Sequence, residues 1–216
     1  MNKLIIANWK CNPVTLKEAK ELLEKIKDNA LGKNVVICPP SIFLSSLICE
    51  GVKFGAQNCF WKEKGAFTGE TSPQMIKSIG ADYVIIGHSE RRNILKETNE
   101  EIVQKVIEAI KANLIPIVCV GESKGEDAFK VLGEQIKGID EDIILAYEPL
   151  WAIGTGEYAS IEKVKEVKEF LKERKVLYGG SVNAENIQQY LTVTDGVLIG
   201  GASLDFEEFN KILCDI

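Results

Sequence analysis

Eight short apolar runs recur along the chain at nearly even intervals, and this regularity constrains the fold more than any other feature. Most of the runs are continuously apolar, whereas strands with one solvent-facing side alternate between apolar and polar residues. Continuous runs are typical of parallel strands that are buried on both faces. The predicted strands cover residues 4–7, 35–38, 52–56, 83–86, 115–120, 143–146, 176–178 and 197–199.

Amphipathic stretches lie between these runs and indicate helices. Two of them keep the 3.6-residue spacing of apolar residues and begin with a capping-box signature, Thr15 with Glu18 and Thr98 with Glu101. Ser72 followed by Pro73 is also typical of a helix start. Further helices are predicted at about 40–48, 126–137, 160–173, 183–191 and 205–213.

Eight strand–helix units of about 27 residues fill the chain of 216 residues. An open, doubly wound sheet also alternates strands and helices, but eight units of even size favour a closed (β/α)8 barrel. No linker rich in proline, glycine or serine interrupts the series. The sequence therefore predicts a single α/β domain over residues 1–216, with eight parallel strands surrounded by helices.

Composition limits the class of protein further. Hydrophobic residues make up 45% and charged residues 27%, as in ordinary globular proteins, and the net charge of −6 argues against a nucleic-acid or anionic-membrane surface. The first apolar run is too short for a secretory signal, and no run approaches membrane-spanning length. Six scattered cysteines without a CxxC pair are then expected to be reduced, which indicates the cytoplasm.

Polar residues follow several predicted strands, at the positions where barrels of this class carry their chemistry. Asn8 and Lys10 follow the first strand, His88 and Glu90 the fourth, and Glu148 the sixth. Because the carboxyl ends of parallel strands meet at one face, we expect a lysine, a histidine and a glutamate to converge there.

Each of these residues also has a structural explanation. A lysine after a strand is often a solvated charge, and a lone histidine is often a hydrogen-bonded structural residue. Glu90 suits a helix start, where the macrodipole favours an acid. Glu148 follows a buried strand and precedes a proline, which favours a base over a surface acid. His88 is the only histidine, and no cluster with ligand spacing accompanies it, so a metal centre is disfavoured.

Glycine-rich segments after the last three strands indicate an anion site. Residues 149–156 combine Pro149 and Trp151 with two glycines, as expected of a lid with a stiff start and a tip that offers backbone N–H groups. The glycine turns at 179–180 and 200–201 lie where phosphate-binding barrels expose N–H groups. None of them is a GxGxxG or Walker motif, so no nucleotide is implied.

Seven motifs together resemble the triosephosphate isomerase family, in order and along the whole chain. The resemblance implies a TIM barrel and an aldose–ketose isomerase, an intramolecular oxidoreductase of glycolysis and gluconeogenesis. The reaction implied interconverts dihydroxyacetone phosphate and D-glyceraldehyde 3-phosphate through an enediolate. The motifs are NWK at 8–10, GAFTGE at 65–70, GHSERR at 87–92, CVGE at 119–122, AYEPLWAIGTG at 146–156, YGGSV at 178–182 and GGASL at 200–204.

The same resemblance implies roles for individual residues. Glu148 would be the base, His88 and Lys10 the electrophiles, and Glu90 an auxiliary acid near Lys10. Asn8 would contact substrate together with Lys10. The family's histidine acts in its neutral form while loop closure excludes water, and the reaction needs neither cofactor nor metal. The residues implied to bind phosphate are Gly154, Ser181, Gly200 and Gly201.

The family also implies a homodimer. Residues 59–72 form a long loop that would insert into a partner subunit, with Phe67 and Thr68 at the interface. The chain departs from the family pattern by being shorter at about 123–142 and in the helix before YGGSV. Glu157 and Tyr158 also follow the GTG sequence, where the family commonly has a lysine. These departures lie outside the catalytic motifs and bear on stability and lid kinetics.

Two other classes of function are alternatives to the isomerase. Another phosphosugar isomerase or epimerase would share the glycine phosphate site but would lack the joint presence of Asn8, Lys10, His88 and Glu148. A non-catalytic barrel would be expected to have lost at least one of the four. All four are present, which favours the isomerase.

Overall fold

The computed structural model describes residues 3–152 and 157–214, and within these ranges eight strands form one closed, parallel barrel. Each strand pairs with its neighbours in chain order, and β8 closes the barrel against β1, where Ile5 pairs with Val197. The predicted closed barrel is therefore confirmed. The strands are β1 (Leu4–Asn8), β2 (Val35–Cys38), β3 (Lys53–Ala56), β4 (Tyr83–Ile86), β5 (Ile115–Val120), β6 (Ile144–Tyr147), β7 (Val176–Tyr178) and β8 (Gly196–Ile199).

The strands are buried on both faces, as their apolar runs predict. Successive side chains point to opposite sides of a strand, so Ile6 lies inside the barrel while Ile5 and Ala7 pack outward against the helices. The barrel interior is a closed apolar cluster rather than a pore. Its members are Leu4, Ile6, Val36, Cys38, Tyr83, Ile85, Ile117, Cys119, Ile144, Ala146, Leu177 and Leu198.

Nine α-helices in the described part of the chain surround this barrel. Thr15 and Thr98 form complete capping boxes with Glu18 and Glu101, and the Ser72 side chain accepts a hydrogen bond from the Met75 N–H, so the predicted helix starts are confirmed. The helices are α1 (Leu16–Ala30), α2 (Ser41–Leu47), α3 (Pro73–Ser78), α4 (Ser89–Asn93), α5 (Asn99–Lys111), α6 (Ala128–Gln135), α7 (Ile161–Phe170), α8 (Ile187–Val193) and α9 (Phe206–Cys214).

Side-chain hydrogen bonds move some helix boundaries from the predicted positions. Helix α8 begins at Ile187 rather than 183, because Asn183 and Asn186 each accept the other's backbone N–H at 2.9 Å and form a turn. Helix α6 begins later than predicted because Asp127 caps it by accepting the N–H of Phe129. Helix α7 ends at Phe170, shortly before Lys172 adopts a φ of 56°. None of the helices in residues 3–152 and 157–214 has both the length and the apolarity to span a membrane.

Candidate active site

Five strands deliver polar or glycine residues to the same end of the barrel. Asn8 is the last residue of β1, His88 follows β4 by two residues, and Glu148 comes directly after β6. A cavity of about 230 Å³ opens at this end of the barrel. Its walls are Lys10, His88, Gly179, Gly180, Ser181, Val182, Leu198, Gly200, Gly201 and Ala202.

Glu148 is a buried carboxylate, only 1% exposed, and lies beside this cavity rather than in its wall. Its Oε2 accepts a hydrogen bond of 3.0 Å from the backbone N–H of Ser89. Its Oε1 lies 3.2 Å from Nε2 of His88 but has no hydrogen-bond partner among the described residues. The carboxylate is therefore held by one backbone group, with its other oxygen directed toward the imidazole.

Two glycines make room for Glu148. A Cβ at Gly121 would lie 1.8 Å from the Glu148 carbonyl oxygen, and a Cβ at Gly179 would lie 2.8 Å from its Cγ. A side chain at Gly121 would displace the Glu148 backbone, and a side chain at Gly179 would displace the Glu148 side chain. These glycines thus leave the space that Glu148 occupies, a role that turn propensity alone does not reveal.

His88 is the N-cap of helix α4. Its Nδ1 accepts a 3.2 Å hydrogen bond from the backbone N–H of Glu90. A ring nitrogen that accepts a hydrogen bond carries no proton, so the neutral ring carries its proton on Nε2. The Nε2–H is therefore the hydrogen-bond donor that His88 offers toward Glu148 and the cavity.

Lys10 adopts a left-handed backbone conformation with φ of 53°, which is uncommon for a non-glycine residue. Two side chains hold it there: Asn8 Oδ1 accepts the Lys10 N–H at 3.0 Å, and Gln57 Nε2 donates to the Lys10 carbonyl at 2.8 Å. The Lys10 ammonium lies 2.6 Å from Glu90 Oε1. The predicted proximity of Lys10 and Glu90 is therefore observed.

The glycine turns lie on the far wall of the cavity. Gly200 precedes a 3₁₀ turn, Gly201–Ser203, whose first N–H groups have no acceptor within the turn. Ser181 directs both its N–H and its hydroxyl to the Ala152 carbonyl, at 3.2 and 2.7 Å. The predicted phosphate ligand Gly154 lies outside the described residues.

Arg92 and Cys119 support the site from behind. The Arg92 guanidinium donates to the Gly87 carbonyl at 2.8 Å and to the Cys119 carbonyl at 3.1 Å, which joins the ends of β4 and β5. Burial lowers the Arg92 pKa. Burial raises the pKa of the Cys119 thiol, and the nearby Glu148 carboxylate raises it further. The neutral form of the thiol is therefore favoured beside the Glu148 carboxylate.

Glu122 holds the segment that follows Glu148. The Tyr147 hydroxyl donates to Glu122 Oε1 at 3.0 Å, and Trp151 Nε1 lies 3.5 Å from the same oxygen. Burial, and then the charge of Glu122, raises the Tyr147 pKa. Trp151 belongs to a 3₁₀ turn, Leu150–Ala152, so the first part of the predicted lid is an ordered turn against the barrel.

A wider groove of about 1060 Å³ borders the site and includes Asn8, Lys10 and Glu90 in its lining. Large apolar side chains also line it and remain exposed, with Ile42 at 78% and Ile94 at 71%. The loop after β3 carries Phe67, which packs on Phe60 at 4.8 Å between ring centroids yet stays 43% exposed. Thr68 beside it is exposed as well.

Several residues of the site do not stand out in the sequence. Gln57 had a usable signal, because it directly follows β3 as Glu148 follows β6. No comparable sequence signal marks the Ser89 N–H, Arg92 or Cys119, apart from their place in a motif. Their contacts join residues that are far apart in the chain. Turn 179–181 was expected to contact phosphate, but the position of Ser181 against Ala152 was not expected.

The hydrogen bond to His88 Nδ1 predicts the tautomer of the ring. Because the chain has one histidine, the two ring ¹⁵N resonances of a tag-free sample can be assigned without mutagenesis. In the neutral ring we expect Nε2 to be protonated and Nδ1 to resonate as an unprotonated nitrogen. A neutral ring protonated on Nδ1 would contradict the capping geometry.

Comparisons with known proteins agree with this geometry. The family model described as triosephosphate isomerase matches residues 3–215. A triosephosphate isomerase from Alkaliphilus oremlandii (strain OhILAs) is 44% identical over 247 aligned residues, which cover 99% of both chains. One from Aquifex aeolicus (strain VF5) is 41% identical over 245 aligned residues, again covering 99% of both chains.

The family match and both relatives extend over nearly the whole chain, as the seven motifs do. The closed barrel and the rim that carries Lys10, His88 and Glu148 are the architecture expected of that family. The chain belongs to the triosephosphate isomerase family.

Proposed function

We propose that Glu148, His88 and Lys10 carry out the interconversion of dihydroxyacetone phosphate and D-glyceraldehyde 3-phosphate that defines this family. The observation that carries the proposal is the pairing of a buried carboxylate with an imidazole. Glu148 Oε1 and His88 Nε2 lie 3.2 Å apart at the mouth of the barrel, beside a cavity bounded by glycine turns. A base and a hydrogen-bond donor on one small substrate are what the reaction requires.

Glu148 would remove a proton from the carbon next to the carbonyl and return it to the neighbouring carbon. A positioned base of this kind contributes about 10²–10⁴ in rate. Glu148 is held by the Ser89 N–H beside the cavity, so it must leave that hydrogen bond to reach the substrate carbon. Gly179 leaves the space through which the side chain would turn.

His88 and Lys10 would stabilise the negative charge that develops on the substrate oxygens. The Nε2–H of His88 would donate to the oxygen that becomes the enediolate and exchange a proton between the two oxygens. Lys10 would add a positive charge, and its ammonium would partly leave Glu90 to contact the substrate. Loss of one donor of this kind costs roughly 2.7–4 kcal/mol in comparable sites. Proton transfer between adjacent carbons needs no cofactor, and we propose none.

The phosphate would bind to the backbone N–H groups at Gly200, Gly201 and Ser181. Those of Gly200 and Gly201 border the cavity near the start of a 3₁₀ turn. Ser181 donates to the Ala152 carbonyl in the structure, so its contact with phosphate requires Ala152 to move. We propose that, when the lid moves, Ser181 donates to the substrate phosphate instead of the Ala152 carbonyl. The same movement would exclude water from the enediolate. Gly154 would take part in the closed state.

We further propose that the active enzyme is a homodimer. The exposed apolar groove and the projecting loop with Phe67 and Thr68 suit a two-fold arrangement, in which each loop fills the partner's groove. Lys10 and Glu90 line that groove. Dimerisation would therefore complete the wall of each active site and cover the apolar side chains.

We propose a cytoplasmic enzyme of glycolysis and gluconeogenesis, built as one domain over residues 1–216. The free, buried thiols of Cys38, Cys59 and Cys119 suit a reducing compartment. Burial raises the pKa of Cys59 to about 12, which keeps that thiol neutral and unreactive at physiological pH.

The first test shortens the base. Glu148→Asp keeps the charge but withdraws the carboxylate by about one bond, and a misplacement near 1 Å costs about 10²-fold in rate. We expect kcat to fall by about that factor with little change in KM, in a coupled assay without added metal. Glu141→Asp is the matched control, since this exposed acid precedes the same strand at the opposite end of the barrel. A near-normal kcat for Glu148→Asp would remove Glu148 from the role of base.

The second test concerns assembly. Thr68→Arg places a guanidinium where the partner's groove would close over it, and an unpaired buried charge costs about 3–5 kcal/mol. We expect the dimer Kd to rise at least about 100-fold and activity to fall on dilution, measured by sedimentation and assay at matched concentrations. Thr192→Arg makes the same change at an exposed position of α8 and should leave both unchanged. A fully active wild-type monomer would contradict the dimer proposal.

A further inference from the structure

A buried cluster of charged side chains lies behind the catalytic residues. Lys105, on helix α5, is only 2% exposed, and its ammonium contacts Glu97 Oε1 at 2.6 Å and Asn58 Oδ1 at 2.8 Å. Arg91 Nε donates to the same oxygen of Glu97. We propose that Lys105 and Glu97 are positioning residues that fix Lys10 and His88 relative to each other. This inference rests on the proposed function of those two residues.

The cluster is connected to Lys10 through Asn58 and Gln57. Asn58 directly follows Gln57, whose side-chain amide donates to the Lys10 carbonyl and to the Cys38 carbonyl, both at 2.8 Å. The left-handed backbone of Lys10 depends on such contacts, because an unsupported non-glycine residue avoids this conformation. A firm hold on Asn58 therefore limits movement of Gln57 and, through it, of Lys10.

The cluster is also connected to His88, through Arg91. Arg91 lies on the short helix α4, of which His88 is the N-cap, and the Glu97 N–H also donates to the Arg91 carbonyl at 3.2 Å. A five-residue helix has little stability of its own. Its attachment to Glu97 keeps the N-cap geometry of His88 and the position of Glu90.

Stability alone does not explain this cluster. Charges buried away from water carry a desolvation cost, and well-packed apolar residues of similar volume are often as stable or more so. Glu97 Oε2 has no hydrogen-bond partner among the described residues, so the pairing of the cluster is incomplete. Burial raises the pKa of the adjacent Cys59 thiol, which leaves Glu97 as the counter-charge that touches Lys105. What the cluster supplies is a fixed geometry between two loops.

The test removes the link to Asn58 and keeps the Arg91–Glu97 pair. In Lys105→Met we expect kcat for triose phosphate isomerisation to fall about tenfold, with a smaller change in KM, because small displacements of catalytic groups are costly. Lys105→Arg keeps the charge and donors and should recover most of that loss. Asn58→Ala breaks the link from the other side without removing a charge, and should lose kcat to a similar extent.

The control breaks an ion pair at the other end of the barrel. Asp195 accepts from Lys168 and from the Val176 N–H, at 2.6 and 2.8 Å, so Asp195→Asn removes comparable contacts far from the rim. We expect a lower melting temperature for Asp195→Asn with unchanged kcat. All variants are assayed at a temperature and concentration where they are folded and in the wild-type oligomeric state.

The outcomes separate the two proposals. Wild-type kcat in folded Asn58→Ala or Lys105→Met, or an equal loss in Asp195→Asn, would overturn the positioning role. If Lys105→Met does not fold, the result for Asn58→Ala decides. A wild-type protein that does not isomerise triose phosphates would instead overturn the proposed function, whatever the variants show.

Discussion

Closure of the parallel barrel is the constraint on which the rest of the structure depends. Because β8 pairs with β1 in the same direction as every other pair, all eight carboxyl ends lie on one rim. Residues as distant in sequence as Lys10, His88 and Gly200 therefore border one cavity. An open sheet of the same strands would leave the first and last at opposite edges, and this cavity would not form.

Within that rim, the site keeps a carboxylate almost free of water. Glu148 is buried and accepts a hydrogen bond from the Ser89 N–H. It lies close to the His88 imidazole, whose Nδ1 accepts a hydrogen bond from the Glu90 N–H. The same short helix α4 thus orients both members of the pair. Buried polar groups of this kind are costly unless they are hydrogen-bonded, and here backbone N–H groups of α4 donate one hydrogen bond to each member of the pair.

Much of this architecture was predictable because its signals are local. Apolar runs placed all eight strands to within one residue, and Thr15, Thr98 and Ser72 marked helix starts through caps made within one turn. The position of Glu148 after a buried strand was likewise a local signal. The helix that begins at Ile187 was misplaced because the turn of Asn183 and Asn186 competes with helix formation.

The proximity of Lys10 and Glu90 was implied by the family resemblance, but other contacts between distant segments were not predictable. Gln57 supports Lys10 across 47 positions of sequence, and Ser89 holds Glu148 across 59. The engagement of Ser181 by Ala152 and the burial of Lys105 also depend on how loops meet after the barrel closes. No pattern of spacing or propensity encodes such pairings.

Isomerisation of dihydroxyacetone phosphate in D₂O tests the central claim, that the convergence at the rim produces proton transfer through an enediolate. The carboxyl group of Glu148 would exchange its proton with solvent before returning it, so the account predicts deuterium at carbon 2 of the glyceraldehyde 3-phosphate formed. Proton NMR of the product measures this directly. Product formed at the normal rate with no deuterium at that carbon would contradict proton transfer by a carboxyl group that exchanges with solvent.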